Sequence, residues 1–244
     1  AVALDRAARH NGQAPRRRGA PRMTTIGIIG AGKVGTAVAR LALAAGDEVL
    51  IAGSPNALFL EQILAMTAPG ARVASLEELA AAAELTVLAV PFGKLDTVDL
   101  ERFTGAVVVD AANYWEPVDG TPAILIGAGA LSTSEVVQRR HPGVRLVKSL
   151  NHLGYHDMDT DAAPAGAPGR RAVAVAGDDA EASGLVADFL DRIGFDPVHL
   201  GALADGAVLQ PGEELFGRFV QRAELLAVAA ELAEPAADGT ELAA

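Results

Sequence analysis

Three glycines in Ile26-Gly27-Ile28-Ile29-Gly30-Ala31-Gly32-Lys33-Val34-Gly35 stand at the spacing G-x-G-x-x-G. The chemistry open to such a turn is anion recognition by backbone N–H groups. Gly30 permits the tight turn, Gly32 leaves room for a pyrophosphate to approach, and Gly35 lets the following helix pack close to the strand. A helix start right after the turn adds free N–H donors and partial positive charge. The glycines alone are a weak signal. Here an Ile-rich strand precedes them, a helix-forming run to Ala45 follows, and a second strand (Glu48-Val49-Leu50-Ile51-Ala52) comes at the right distance. The alternative is a Gly-rich turn in an ordinary strand–helix unit.

Other residues with chemical potential fall where later strands end. The second strand runs into Gly53-Ser54-Pro55-Asn56. An acid there would bind the ribose 2′-hydroxyl of NAD. None is present, and Ser54 and Asn56 offer donors, which favours NADP. Ser54 is equally suited to cap a helix that starts at Pro55. The fourth strand ends at Val90-Pro91-Phe92, and the fifth at Asp110-Ala111-Ala112-Asn113. Asn113 is suited to a nicotinamide-side group or to an Asx turn. The sixth leads into Lys148-Ser149-Leu150-Asn151-His152-Leu153-Gly154. Asn151 and His152 would emerge at the same sheet edge as candidates for a second substrate, or they tie the loop down through backbone hydrogen bonds. His152 and His156 have i, i+4 spacing, but Gly154 between them argues against a metal site, and none is assigned. Tyr114-Trp115 is either a stacking platform or a lid on the core.

The elements that must position these residues alternate regularly. Strands are read at 25–29, 48–53, 71–74, 85–90, 106–112, 145–150, 171–176 and 196–200, and helices at 33–45, 56–67, 76–84, 133–141, 179–193 and 213–234. Ser75-x-x-Glu78 and Ser132-x-x-Glu135 fit the capping box, and Asp178 precedes a run with Glu181. Near-continuous Val/Ile/Leu strands between helices imply an α/β fold: a doubly wound, mostly parallel sheet with a small C-terminal helical extension. The expected organisation is an N-terminal extension over 1–22, a dinucleotide-binding domain over 23–203, a helical segment over 204–236 and a tail over 237–244. Residues 1–22 carry Arg6, Arg9, Arg16, Arg17, Arg18 and Arg22 against one acid, Asp5, and read as unfolded. Residues 154–170 read as a long polar loop, functional or mobile.

Composition narrows the function classes. A chain of 244 residues can bury a sizeable core. The absence of cysteine excludes disulfides and thiolate chemistry. A net charge of −11 argues against nucleic-acid binding, and no apolar run approaches the ~20 residues that span a bilayer. Small-molecule substrates and a cytoplasmic setting are the expectation.

Together these stretches resemble the NADP-dependent reductases of the deazaflavin coenzyme F420, in their actinobacterial form. The likeness rests on Ile26–Gly35, Val87–Phe92, Val107–Tyr114, Ser132–Glu135, Val147–Gly154 and Ala174–Gly201, and spans nearly all of Met23–Gly201. It implies a Rossmann-type oxidoreductase, often a homodimer, that moves hydride between NADP(H) and coenzyme F420 as second substrate. Cofactor contacts carry over to Gly30, Gly32, Lys33, Val34, Gly35, Ser54, Val90, Pro91 and Phe92. The deazaflavin pocket would lie near Asn151, His152, Leu153 and Gly154, with His152 the side chain best placed to tune or orient the acceptor. The acidic tail of a deazaflavin would call for a basic patch, with Lys148, Arg145, Arg170 and Arg171 nearest in sequence. Members place a basic residue directly after the serine that ends the second strand; this chain has Pro55.

Overall fold

The computed structural model describes residues 23–54 and 58–233. Expectations for 1–22, for Pro55 and Asn56, and for 234–244 lie outside the described residues.

Eight strands form one sheet: β1 (Thr25–Ile29), β2 (Glu48–Ala52), β3 (Arg72–Val73), β4 (Leu85–Leu88), β5 (Val107–Asp110), β6 (Arg145–Lys148), β7 (Ala172–Ala176) and β8 (Asp196–Gly201). Their order is β3-β2-β1-β4-β5-β6-β7-β8. Strand order reverses between β1 and β4, so the crevice beyond their carboxyl ends is the switch point where doubly wound sheets bind ligands. All neighbouring pairs are parallel except β6 and β7, which run antiparallel and meet in the single register pair Lys148↔Ala176.

The sheet is buried on both faces, as its apolar strands require. On one face Ile26, Ile28, Val87, Val109 and Val147 pack under α1 (Lys33–Ala44), α6 (Tyr155–Asp161) and α7 (Ala180–Arg192). On the other, Ile29, Leu88, Val108 and Leu146 meet α3 (Leu76–Ala82), α5 (Thr133–Arg140) and the turns around Phe92 and Phe103. Helix α2 (Leu60–Thr67) adds Leu64 to the first face, and α4 (Glu116–Asp119) is a single turn with no buried residue. The C-terminal helix α8 (Arg222–Ala233) sets Leu225 and Ala229 on a separate apolar cluster with Val198 and Leu200 of β8. It therefore packs on its own domain.

Both capping boxes form: Ser75 with Glu78 and Ser132 with Glu135. Several local expectations need correction. The cap of α7 is Asp179, not Asp178; its carboxylate accepts the Glu181 and Ala182 N–H groups. The helix after β2 starts at Leu60 rather than 56, so Ser54 does not cap it. Phe59, in left-handed backbone (φ 62), precedes it instead. The final helix starts at Arg222 rather than 213, after a 3-10 turn over Leu203–Leu209 and further turns. The supposed loop 154–170 contains α6, whose Met158 is fully buried.

Candidate functional site: the carboxyl edge of the sheet

Register aligns the strand ends. Ile29 pairs with Ala52 of β2 and Leu88 of β4, and Asp110 pairs with Leu88 and Lys148. The ladder runs one step further: Gly30 N–H donates to Ala52 C=O at 2.8 Å and Ala89 N–H to Ile29 C=O at 2.8 Å. The residues after these strands therefore share one edge.

The three glycines meet three different constraints. Gly30 has φ +114, and a Cβ there would strike the Ala89 carbonyl of the neighbouring strand end. A Cβ on Gly35 would strike the Gly30 carbonyl, so helix and turn can only close without one. A Cβ on Gly32 would meet nothing within 4 Å. Packing therefore requires glycine at 30 and 35, while Gly32 keeps an exposed place open. This open cradle lies at the first turn of α1, where N–H groups lack intrahelical acceptors and an anion can be received.

Around this cradle Val34 and Val90 are half-buried, and Ser54 and Pro91 are exposed. Phe92 was expected to touch the cofactor. Its ring is fully buried, edge-on to Tyr114 at 5.7 Å between centroids, so it shapes the turn from below. Asp119 ties the two loops beyond β4 and β5 together: its carboxylate accepts the Gly93 N–H at 2.9 Å and the Trp115 N–H at 2.8 Å. Trp115 is half-exposed beside Tyr114, whose hydroxyl donates to the Gly120 carbonyl.

The acceptor side is built differently. The Asn113 amide donates to the Asn151 carbonyl at 2.7 Å and accepts from the Asn151 amide at 3.0 Å. Asn151 Nδ2 also donates to Leu209 C=O at 2.6 Å, and Asn151 Oδ1 is buried without a partner. Asn113 thus makes a reciprocal amide pair rather than an Asx turn. Lys148, 1% exposed, donates to Asp110 at 3.2 Å and to Ala112 C=O at 2.7 Å, while Ser134 donates to the same Asp110 carboxylate at 2.6 Å. Burial pulls the Lys148 pKa down and the Asp110 charge pulls it back up.

His152 does not open onto the edge. Its imidazole is 1% exposed, and burial, with the charges of Arg171 and Lys148, lowers its pKa to about 3. Nε2 accepts the Ala174 N–H of β7 at 3.4 Å, which places the ring proton on Nδ1, itself buried without a partner. Ser149 donates to the Ala174 carbonyl at 2.7 Å. Ser149 and His152 therefore replace, with side chains, the ladder that β6 stops making to β7. Leu150 between them takes left-handed backbone (φ 65), which turns the chain away from the strand. Leu153 is buried and its N–H is taken by the Leu150 carbonyl at 3.1 Å, so it is not free to meet an acceptor; Gly154 is half-buried. His156 is exposed, unlike His152, and no cluster of three or more metal-binding side chains occurs among the described residues.

The anticipated basic patch does not form. Lys148 and Arg171 are buried. Arg145 is held by Asp179 at 2.6 Å and by Glu181 at 2.9 Å, and Arg170 by Asp191 at 2.8 Å. The Arg145 contact holds the Asp179 carboxyl well below the usual range.

Residues 25–114, which carry the glycine turn and the ends of β2, β4 and β5, match the family described as NADP oxidoreductase, coenzyme F420-dependent. Over that span the chain is similar to this family. That span is F420-oxidoreductase-like, and the sheet that contains it has the Rossmann-type order. No curated protein matches the sequence significantly. Among solved structures, the chain is similar to a hypothetical protein from Sinorhizobium meliloti, with 29% identity, TM-score 0.67, and coverage of 82% of this chain and 96% of that one. It is also similar to a protein from Arthrobacter sp. FB24 provisionally named an F420-dependent NADP-reductase, with 27% identity, TM-score 0.64, and coverage of 82% and 100%. A 3-hydroxyisobutyrate dehydrogenase from Mycobacterium tuberculosis, 17% identical with TM-score 0.52 over 77% of this chain and 57% of that one, shares the fold.

Beside the glycine turn stands Tyr155, which the sequence does not single out. Lys33, the first residue of α1, donates from Nζ to the Tyr155 hydroxyl at 3.0 Å. Tyr155 opens α6, in the stretch read as a loop. Its place follows from tertiary packing 122 positions away, and no local pattern announced it.

Proposed function

We propose that the protein transfers a hydride between NADP(H) and a flavin-like acceptor, most specifically the deazaflavin coenzyme F420. The observation that carries this reading is the open place at Gly32, inside the span that matches the F420-dependent family. Gly30, Gly32, Val34 and Gly35 would hold the pyrophosphate and Ser54 the adenosine ribose end. Val90 and Pro91 would line the path toward the nicotinamide. When bound, the nicotinamide supplies or accepts the hydride, and the protein supplies position and electrostatics. Transfer between two rings needs them held with reacting carbons roughly 3–3.5 Å apart. It requires no side-chain acid. The burial of His152 and Lys148 suits this, and it disfavours reduction of a small carbonyl compound, for which one of them would have to reach the substrate.

Asn151, Leu153 and Gly154 would shape the acceptor's side of the edge through their fixed backbone, with His152 holding that backbone rather than touching the acceptor. Two positions after Asn113, and next to the half-buried Tyr114, Trp115 offers a half-exposed ring face. We assign the protein to the cytoplasm as a homodimer acting on small molecules; no helix among the described residues is long and apolar enough to cross a membrane. The test is spectroscopic. NADPH should bleach the visible absorbance of oxidised F420 in the protein's presence. Absence of bleaching, with NADPH binding intact, removes F420 and favours a non-catalytic NADP(H) sensor.

A further inference from the structure

Next in sequence to the open place at Gly32 stands a charge that the glycine spacing does not require. Lys33 directly follows Gly32 and is exposed. Its ammonium reaches the Tyr155 hydroxyl at 3.0 Å and lies 4.9 Å from the centre of that ring. Among the described residues no carboxylate pairs with it, which is notable in a chain with 31 acids and 20 Lys and Arg together. A lysine head on four methylenes normally samples many rotamers, and fixing it carries an entropic cost. Here a tyrosine holds it.

The tyrosine is itself held. α6 is anchored from both sides: Asp159 pairs with Arg40 of α1, and Asp161 and Asp157 pair with the buried Arg171 at 2.6 and 3.4 Å. Met158 seats the same helix in the core. The acidic run Asp157, Asp159 and Asp161 is thus a set of struts that fix where Tyr155 stands. The Tyr155 hydroxyl accepts one hydrogen bond from Lys33, and its own proton finds no acceptor among the described residues. The ammonium has two more N–H groups.

We propose that Tyr155 is a positioning residue of the phosphate cradle: it holds the Lys33 ammonium at the start of α1, so that the pair's unused N–H and O–H donors serve the pyrophosphate of a bound dinucleotide. This rests on the reading of the glycine turn as a dinucleotide site. Pyrophosphate is the right anion because Lys33 adjoins Gly32, where that group approaches in such turns. The 2′-phosphate would sit at the far end, by Ser54. Pre-ordering the lysine removes an entropic cost from binding, and its charge strengthens the bond to phosphate.

The test measures dissociation constants for NADPH and for NADH with wild type, Tyr155→Phe, Lys33→Met and the double variant, with melting temperature followed in each. Tyr155→Phe keeps the ring and loses only the hydroxyl. It should weaken NADPH and NADH by the same factor, about three- to tenfold, with the melting temperature unchanged. Lys33→Met should weaken both further, and adding Tyr155→Phe to it should change little. Additive losses in the double variant would show that Tyr155 does not act through Lys33, and a loss confined to NADPH would show that the pair reads the 2′-phosphate; either overturns the proposal. Wild type that binds neither nucleotide overturns the dinucleotide reading itself, and this proposal with it.

Discussion

Along the β2–β1–β4 part of the carboxyl edge, Gly32 faces open space, Ser54 and Pro91 are exposed, and Lys33 is held by a tyrosine instead of a carboxylate. Along the β5–β6–β7 part, Asp110, Lys148, Ser149, Asn151 and His152 are all between 0% and 3% exposed, and each is bonded to another buried group. Both parts are rich in polar residues of the kinds that do chemistry. Burial separates them. In the first, polar groups and backbone are left exposed. In the second, most donors and acceptors bond to one another and hold backbone in place, with Asn151 Oδ1 and His152 Nδ1 left over. The ring-to-ring transfer proposed above needs that asymmetry: free groups where a charged cofactor is gripped, and a fixed wall where a planar acceptor must lie at the correct height.

The sharpest way to break the comparison is to open the sealed half. Asp110→Ala leaves the Lys148 ammonium buried without its carboxylate and should cost about 3–5 kcal/mol in a urea titration. Asp110→Ala with Lys148→Met should recover much of that loss. A single variant as stable as wild type would mean that the sealed network is not what holds this edge.

The converse test fills the open half. Gly32→Val should leave the melting temperature unchanged, because nothing stands within 4 Å of the added carbon. It should weaken NADPH binding by about a hundredfold or more, equivalent to ~2.7 kcal/mol. Gly35→Val, whose side chain would meet the Gly30 carbonyl, should instead lower stability. If the two variants behave alike, the glycines do not divide their tasks as described.

A third test uses pH. His152 is lowered to about 3 in the folded protein, against 6.5 in an open chain. Between those values the unfolded chain binds the extra proton. The contribution of a neutral His152 is therefore complete above pH 6.5 and is lost as pH falls toward 3, at roughly 1.4 kcal/mol per unit. His152→Gln should flatten the stability curve in that window by one proton's worth of slope. An unchanged slope would place the lost protonation elsewhere.

The smallest effect concerns nucleotide choice. From Leu41 to Ala71 the sequence has no Lys or Arg, so nothing in that span supplies a cation for a 2′-phosphate. NADPH should be preferred over NADH only modestly. Pro55→Arg should raise that preference by about tenfold, ~1.4 kcal/mol, in paired binding titrations. Tighter NADH binding in the wild type would contradict the reading of Ser54.

The open half was legible in the sequence because its signals are local. Glycines at fixed spacing, an apolar strand before them and a helix after them all lie within about twenty residues, and β1, β2, β4, β5 and β6 are marked by their Val/Ile/Leu content. The sealed half was legible only as a set of names. Asn113 and Asn151 are 38 positions apart, and no pattern in either neighbourhood says that their amides will pair. His152 has the residue type of a catalyst, and only the fold shows that its ring serves β7. The helix α6 is hidden in the sequence for a related reason. Its seven residues are mostly polar and acidic, with a glycine ahead of them, so intrinsic preference is weak; Arg40, 119 positions upstream, and Arg171 supply its order.

The antiparallel junction of β6 and β7 has a consequence for how the molecule breathes. Elsewhere the major neighbouring strands share three to five register pairs; here there is one, supplemented by the side chains of Ser149 and His152. Side-chain bonds span a seam without the cooperativity of a ladder. In native-state hydrogen exchange, β7, β8 and α8 should therefore surrender their amides together, as a leaf that detaches at lower cost than the β1–β5 body. A leaf that swings at this seam carries Ala174 away from His152 and Ser149 and loosens the fixed wall on which the acceptor is proposed to rest, while the glycine turn keeps its grip. The protein would then release its two ligands on separate schedules.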